Sequence, residues 1–392
     1  MLKRETFLRR EIKPLTALRA VAAALVFFYH FVYLRNPVPA SNVIQAIAQN
    51  GFIGVNLMFV LSGFLLTLRY YNDVEQKNLR WGDYLKRRVV RLYPSYFVML
   101  AGIAVLGTPI NIANVTFTQG FFTKYFQTGI INSWSLTAEE CFYLVLPVLL
   151  WILVRCRNLK ISAGVLLVWA LGMLWLGLML VNWSQANDIA DVSGFMGDYG
   201  FALTRTFFGF AIEFAIGMFA ALLYRKRGAF GVTVSTIMVA VSLIGIAVCV
   251  YLMTIYTDPY VVRELRYVVS VFCGILIFAL TCEKLVLSRI LSWSPLVYIG
   301  RLSYGVYLIQ LTPLVWFMAG WPILLFYAGC NVASALLYHG IEIPARNLFL
   351  KRPKPATAPT LAPQPAAFQS VQRAERTQPE YALAIPRDRV RN

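Results

Sequence analysis

Charge is what this chain has least of. Only 14% of its 392 residues are charged and 59% are hydrophobic, where a soluble domain carries about 25% charged residues. So little polar surface excludes an ordinary water-soluble globule. Acid is scarcer still: 18 Asp and Glu stand against 36 Lys and Arg, a net charge of +18. Histidine occurs twice. The six cysteines, at 141, 156, 249, 273, 282 and 330, show neither metal-ligand spacing nor a disulfide framework. No metal and no permanently bound cofactor is expected.

What the chain has in quantity is long apolar runs. A span needs roughly 20 mostly apolar residues to cross about 30 Å of hydrocarbon, and 161–181 and 232–256 do so without one charge. Read as helices, the apolar runs give about ten spans. They lie near 15–34, 51–70, 92–108, 134–154, 161–181, 202–224, 232–256, 267–282, 302–319 and 322–341. The first run is too long for a cleavable signal and lacks a small-residue cleavage site, so it reads as a retained span.

With the N-terminus inside, most basic residues fall on inward segments: Lys3, Arg4, Arg9, Arg10 and Lys13; Lys86, Arg87, Arg88 and Arg91; Arg155, Arg157 and Lys160; Arg225, Lys226 and Arg227. That asymmetry is the positive-inside rule, and it puts both termini in the cytoplasm. The basic excess encodes orientation, so nucleic acid is not expected as a partner. The expected fold is all-α: a multi-pass protein of the cytoplasmic (inner) membrane with one domain over 1–350. A basic Pro/Ala-rich tail follows over 351–392 and is expected to be disordered. Outward loops are short, the longest near 109–133 and 182–201. No internal repeat and no matched pair of broken half-helices marks an inverted-repeat transporter.

Ionisable groups inside a span are costly and usually functional. The first span, LTALRAVAAALVFFYHFVYL, contains Arg19 and His30, eleven residues apart. In an α-helix that separation returns to within roughly 20° of the same face, about 16 Å along the axis. The bland reading is a snorkelling Arg plus an interfacial His. The functional one makes His30 a general base near neutral pH. The second histidine, His339, reads as interfacial.

In GFIGVNLMFVLSGFLL, residues 51–66, the small residues Gly51, Gly54, Ser62 and Gly63 suit close helix packing or a ligand channel. In KRRVVRLYPSYF, Arg88 and Arg91 lie three apart, and guanidinium pairs suit phosphate and diphosphate groups. WSLTAEECFYLVLPVLL, residues 134–150, enters the membrane from outside. There Thr137 and Glu140 fit a capping box, which leaves Glu139 without a structural duty. Ser135 shares a face with it. A His30–Glu139 pair would orient the imidazole. Arg205 and Glu213, in the sixth span, are a second candidate buried pair with no role assigned.

In order along the chain, LRAVAAALVFFYH, GFIGVNLMFVLSGFL, RRVVRLYPSYF, WSLTAEECFY, SYGVYLIQ and IEIPARNLF resemble the acyltransferase-3 family of bacterial membrane acyltransferases. The resemblance runs from Leu15 to about Leu350. It implies acyl transfer from cytoplasmic acyl-CoA, typically acetyl-CoA, to a hydroxyl of an extracytoplasmic glycan. Typical acceptors are lipopolysaccharide, exopolysaccharide or a lipid-linked sugar. By position, His30 looks like the family's essential histidine, Arg19 its partner in the first span, Arg88 and Arg91 its basic motif, and Glu139 its acidic residue. Ser62, Gly63, Trp134, Ser135 and Tyr143 are expected to support the site. Gln310 stands where many relatives carry histidine, and the esterase-like outer domain of some relatives is not expected here.

The resulting hypothesis has Arg88, Arg91 and Arg19 holding the phosphates of CoA while His30, oriented by Glu139, deprotonates a sugar hydroxyl. A covalent acyl-histidine is the alternative step. The rival class is a transporter or flippase for a lipid-linked sugar, and a non-catalytic assembly subunit is a remoter one.

Overall fold

A computed structural model describes residues 11–33, 43–256, 258–318 and 320–350. The tail over 351–392 and Lys3, Arg4, Arg9 and Arg10 lie outside the described residues. Among those residues the chain is all-helical. The principal helices are α1 (Lys13–Phe28), α2 (Ile53–Glu75), α3 (Trp81–Val105), α4 (Trp134–Leu153) and α5 (Leu159–Ala186). They continue with α6 (Tyr199–Arg205), α7 (Phe207–Arg227), α8 (Val232–Ile255) and α9 (Pro259–Ala279). Last come α10 (Ser294–Ile309), α11 (Ile323–Leu337) and α12 (Ile343–Phe349).

Among the described residues, eight helical segments are long and apolar enough to cross a membrane. The two expected spans that fall short are α9 and α10. Helix α9 carries Arg263, Glu264 and Arg266 in its first half, while α10 is 16 residues long and contains Arg301.

Helix α2 is the axle of the bundle: it packs against α1, α4, α7 and α9, most extensively against α7. Hydrocarbon gives helices no hydrophobic reason to associate, so close contact must come from shape. Glycine supplies it. A Cβ on Gly63 would lie 2.4 Å from the Phe214 carbonyl oxygen, and one on Gly217 would lie 2.1 Å from that of Val60. Likewise Gly51 and Gly54 seat α2 and the turn before it on α1, with Cβ positions 2.2 Å from Leu25 O and 2.4 Å from Ala22 O. The small residues of the 51–66 segment therefore divide. Gly51, Gly54 and Gly63 pack helices, while Ser62 faces the interior cavity described below.

Substituting Gly217 by leucine is expected to cost at least the ~1–3 kcal/mol of an overpacked core, because the obstacle is backbone. The check is the yield of monodisperse protein extracted from membranes, with Gly82→Ala as control, since nothing lies within 4 Å of a Cβ there. Equal yields would refute the close-packing account.

Two π turns interrupt the helices at chemically loaded places. One, Tyr29–Tyr33, carries His30 at the end of α1; the other, Tyr338–Glu342, carries His339 and Glu342 between α11 and α12. Single π turns inside helices are uncommon and recur at functional sites.

Candidate functional site

Arginine collects at one end of the bundle. A cavity of about 510 Å³ is lined by seven arginines: Arg19, Arg69, Arg87, Arg88, Arg91, Arg301 and Arg346. Only Glu11 and Glu342 line it with the opposite charge. Glu11 is already committed, accepting from Arg301 Nη2 at 2.5 Å and from Arg301 Nε at 3.1 Å. Those bonds hold the Glu11 carboxyl below the usual carboxylate range. What remains is a basin of guanidinium forks suited to phosphate groups.

The three predicted arginines all line this basin. Arg88 donates to the Tyr70 hydroxyl at 2.9 Å and lies over the rings of Tyr70 and Tyr143, at 5.4 and 5.7 Å. Arg69, Arg301, Arg346 and Glu342 were missed because they are scattered along the sequence and converge only in space.

Next to the basin lies a narrow, mostly apolar passage with a few polar side chains on its wall. A second cavity, about 50 Å³, is lined by Arg19 and Arg91 and then by Ser62, Glu139, Ser135 and Tyr307. Arg19 and Arg91 line both spaces, so the two adjoin through a shared pair of guanidiniums. On α1 the lining residues Arg19, Ala22, Ala23 and Val26 form one helical stripe. His30 lies one turn beyond Val26, on the π turn. It is partly buried, its ring is 5.3 Å from that of Tyr29, and its Nδ1 has no hydrogen-bond partner.

Glu139 is not paired with His30. It accepts from Ser62 Oγ at 3.1 Å and from the Tyr143 hydroxyl at 2.5 Å, and it interacts electrostatically with Arg19 and Arg91. Two guanidiniums in a low-dielectric interior need a counter-charge, and Glu139 supplies it. Predicted pairing failed because equal depth from a shared membrane face does not fix which way a side chain points around its helix.

The expected capping box is also absent. Thr137 Oγ1 accepts from the Gly120 backbone N–H at 3.1 Å, and Glu140 Oε1 is buried without a partner. Of the other predicted supporters, Ser135 Oγ lies 2.7 Å from the Tyr307 hydroxyl. Tyr143 buttresses Glu139, and Trp134 stacks on Phe210 with ring centroids 5.9 Å apart. Gly63 lies behind the cavity, against α7.

Arg205 and Glu213 do not pair either. Glu213, wholly buried, accepts from Asn56 Nδ2 at 2.7 Å and lies 4.0 Å from Arg266. The tyrosines of SYGVYLIQ, Tyr304 and Tyr307, line the passage. Their three-residue spacing on one helical face was the signal that could have found them. His339, exposed, meets the Tyr298 hydroxyl at 3.0 Å, in keeping with an interfacial place. Among the described residues no group of His, Cys, Asp and Glu is arranged to hold a metal ion.

Fold and cavities together define a multi-pass helical membrane protein with an arginine basin adjoining a small buried passage that shares two of its arginines. Residues 12–338 match the acyltransferase-3 family, described as an acyltransferase domain, and the chain belongs to that family. It is 26% identical over 386 residues to the peptidoglycan O-acetyltransferase of Listeria monocytogenes, covering 88% of this chain and 57% of that protein. A Bacillus subtilis protein provisionally named a peptidoglycan O-acetyltransferase is 28% identical over 377 residues, covering 86% of this chain and 55% of its own length. A Staphylococcus aureus protein, provisionally an O-acetyltransferase, is 23% identical over 330 residues, covering 76% and 50%. The chain thus spans about half the length of the curated relatives it matches. No solved structure matches it.

Proposed function

We propose that this chain is a membrane O-acyltransferase that moves an acyl group, most simply acetyl, from cytoplasmic acyl-CoA to a hydroxyl of an extracytoplasmic glycan. The observation that carries the reading is the continuity between basin and passage: Arg19 and Arg91 belong to both. An anionic head held among the arginines would send a thioester arm along α1 toward His30. The names of the relatives favour a cell-envelope glycan, with exopolysaccharide and lipopolysaccharide as the other candidates.

In this reading α9 and α10 also cross the bilayer, giving ten spans with both termini cytoplasmic in the inner membrane. The basin then faces the cytoplasm, where acyl-CoA is made. Arg88, Arg91 and Arg19 bind the CoA phosphates. Because the passage is narrow, the arm enters as lining side chains such as Met58, with its three rotatable bonds, swing aside.

His30 takes the proton of the acceptor hydroxyl while the oxygen attacks the thioester carbonyl carbon. As the tetrahedral intermediate collapses, the C–O bond is kept, the C–S bond breaks, and CoA leaves as a thiol once it regains a proton. Glu139, held by Ser62 and Tyr143, balances Arg19 and Arg91 and leaves the imidazole free.

The test feeds acetyl-labelled acetyl-CoA to membranes with and without the chain. Label reaching extracted polysaccharide or lipid-linked sugar only when the chain is present is the expected result. Sugar crossing the membrane without consumption of any acyl-CoA would replace this reading with a flippase.

A further inference from the structure

Behind the passage residue Ser135, over the ring of Trp134, stands a cation to which no role has been given. Arg205 closes α6, where the chain breaks at Thr206 before α7 begins. Its guanidinium carbon lies 5.1 Å from the ring centroid of Trp134 and 6.0 Å from that of Phe126. Trp134 is nine residues, about 14 Å of helix, from Tyr143, where Arg88 of the basin lies. The charge of Arg205 acts on both His30 and Tyr307. Through Trp134, the neighbour of the passage residue Ser135, it stands against the passage wall, away from the donor's phosphates.

Its position is built. Arg266 donates to the carbonyls of Leu203 at 2.8 Å and Thr204 at 3.3 Å, the backbone groups just before the break. Arg266 is in turn anchored by Glu213. Both acids nearest in sequence are engaged elsewhere: Asp198 accepts from the Phe201 N–H, and Glu213 is spent on the support, not on Arg205. Among the described residues Arg205 has no carboxylate within ion-pair distance, and the charged group acting on it is the like-charged Arg266. The segment 34–42 contains no Asp or Glu. Stacking on Trp134 offsets part of the cost of holding such a charge away from water, but a counter-anion would offset far more.

Resting on the acyl-transfer reading, we infer that Arg205 is an anion subsite for the acceptor: it pairs with a carboxylate or phosphate on the glycan and so sets the hydroxyl against His30. The acceptor class is then an acidic or phosphate-linked sugar, not a neutral one. Trp134, beneath the guanidinium and backed by Phe210, holds the fork in plane.

The test uses purified chain in detergent, labelled acetyl-CoA and the glycan fraction extracted from the host membranes in three forms. These are untreated, carboxyl-reduced with carbodiimide and borohydride, and dephosphorylated with mild acid. For the wild type, one treatment should raise the acceptor KM about tenfold or more, the effect of losing a charge-assisted hydrogen-bond pair; which treatment does so names the anion. Arg205→Gln should show that higher KM on untreated glycan and lose no more on the sensitive treated form. Arg205→Lys should recover part of the difference, and the KM for acetyl-CoA should stay the same throughout. The wild-type comparison needs no variant, so it decides even where Arg205→Gln melts early. Wild type using both treated glycans as well as the untreated one would overturn the inference, as would an unchanged acceptor KM in Arg205→Gln. Failure of the wild type to transfer label to any fraction would overturn the acyl-transfer reading itself, and this inference with it.

Discussion

Replacing His30 by alanine is expected to lower acetyl transfer about 10²–10⁴-fold, the usual worth of a positioned general base. The structure makes this a clean substitution. His30 sits on a π turn at the end of α1, with its ring against Tyr29 and its Nδ1 unpartnered. Losing the imidazole therefore leaves no partner of Nδ1 unsatisfied. Expression and acetyl-CoA binding should persist, separating chemistry from assembly. The measurement compares labelled acetyl on extracted glycans from membranes with matched amounts of wild type and His30→Ala. Transfer within a few-fold of wild type would remove His30 from the chemistry and return attention to Glu140, whose Oε1 is the buried unpartnered carboxylate oxygen nearest in sequence to the passage.

The second large effect is expected at Arg91. Exchange for glutamine should raise the KM for acetyl-CoA roughly 10–100-fold, since hydrogen bonds to charged groups contribute about 1.5–3 kcal/mol and 1.4 kcal/mol is tenfold. Arg91 is singled out over Arg88 on geometry. Arg88 spends part of its guanidinium on the Tyr70 hydroxyl and the faces of Tyr70 and Tyr143. Arg91 lines both the basin and the passage. It also shares the countercharge of Glu139, so its removal unbalances the interior where the arm must pass. Kinetics over a range of acetyl-CoA, with free CoA as competitor, would read the change. An unaltered KM together with an unaltered inhibition constant for CoA would place the phosphates elsewhere.

How much of this was legible in advance varies by residue. The apolar runs marked the helices because crossing hydrocarbon demands a length and a composition that few other constraints imitate. Arg19 stood out because a charge in an apolar run is costly and needs a reason, and Arg91 because it lies three residues from Arg88 in a basic segment suited to phosphates. Ser62 and Gly63 are adjacent, share a motif, and separate only in three dimensions. One faces the passage and the other faces the Phe214 carbonyl across α7. Arg205 and Glu213, eight residues apart, read as bridged through other helices more than directly bonded, and only the structure shows that the link comes from Arg266 of α9.

The sequence by itself determined the class of the molecule: a multi-pass helical bundle, its families of basic segments, and the buried Arg, His and Glu that set it apart from a structural subunit. Those follow from composition and from the energetics of putting single residues in lipid, which are local properties. Only the tertiary structure decided the partnerships. Glu139 went to Ser62 and Tyr143 instead of His30, and Glu213 went to Arg266 instead of Arg205. Seven arginines from separate stretches became one basin. The reason is rotational: a sequence fixes how deep a side chain lies along its helix, but the azimuth it faces is set by the helices packed around it, and the glycine contacts that seat α2 on α7 link residues more than a hundred positions apart.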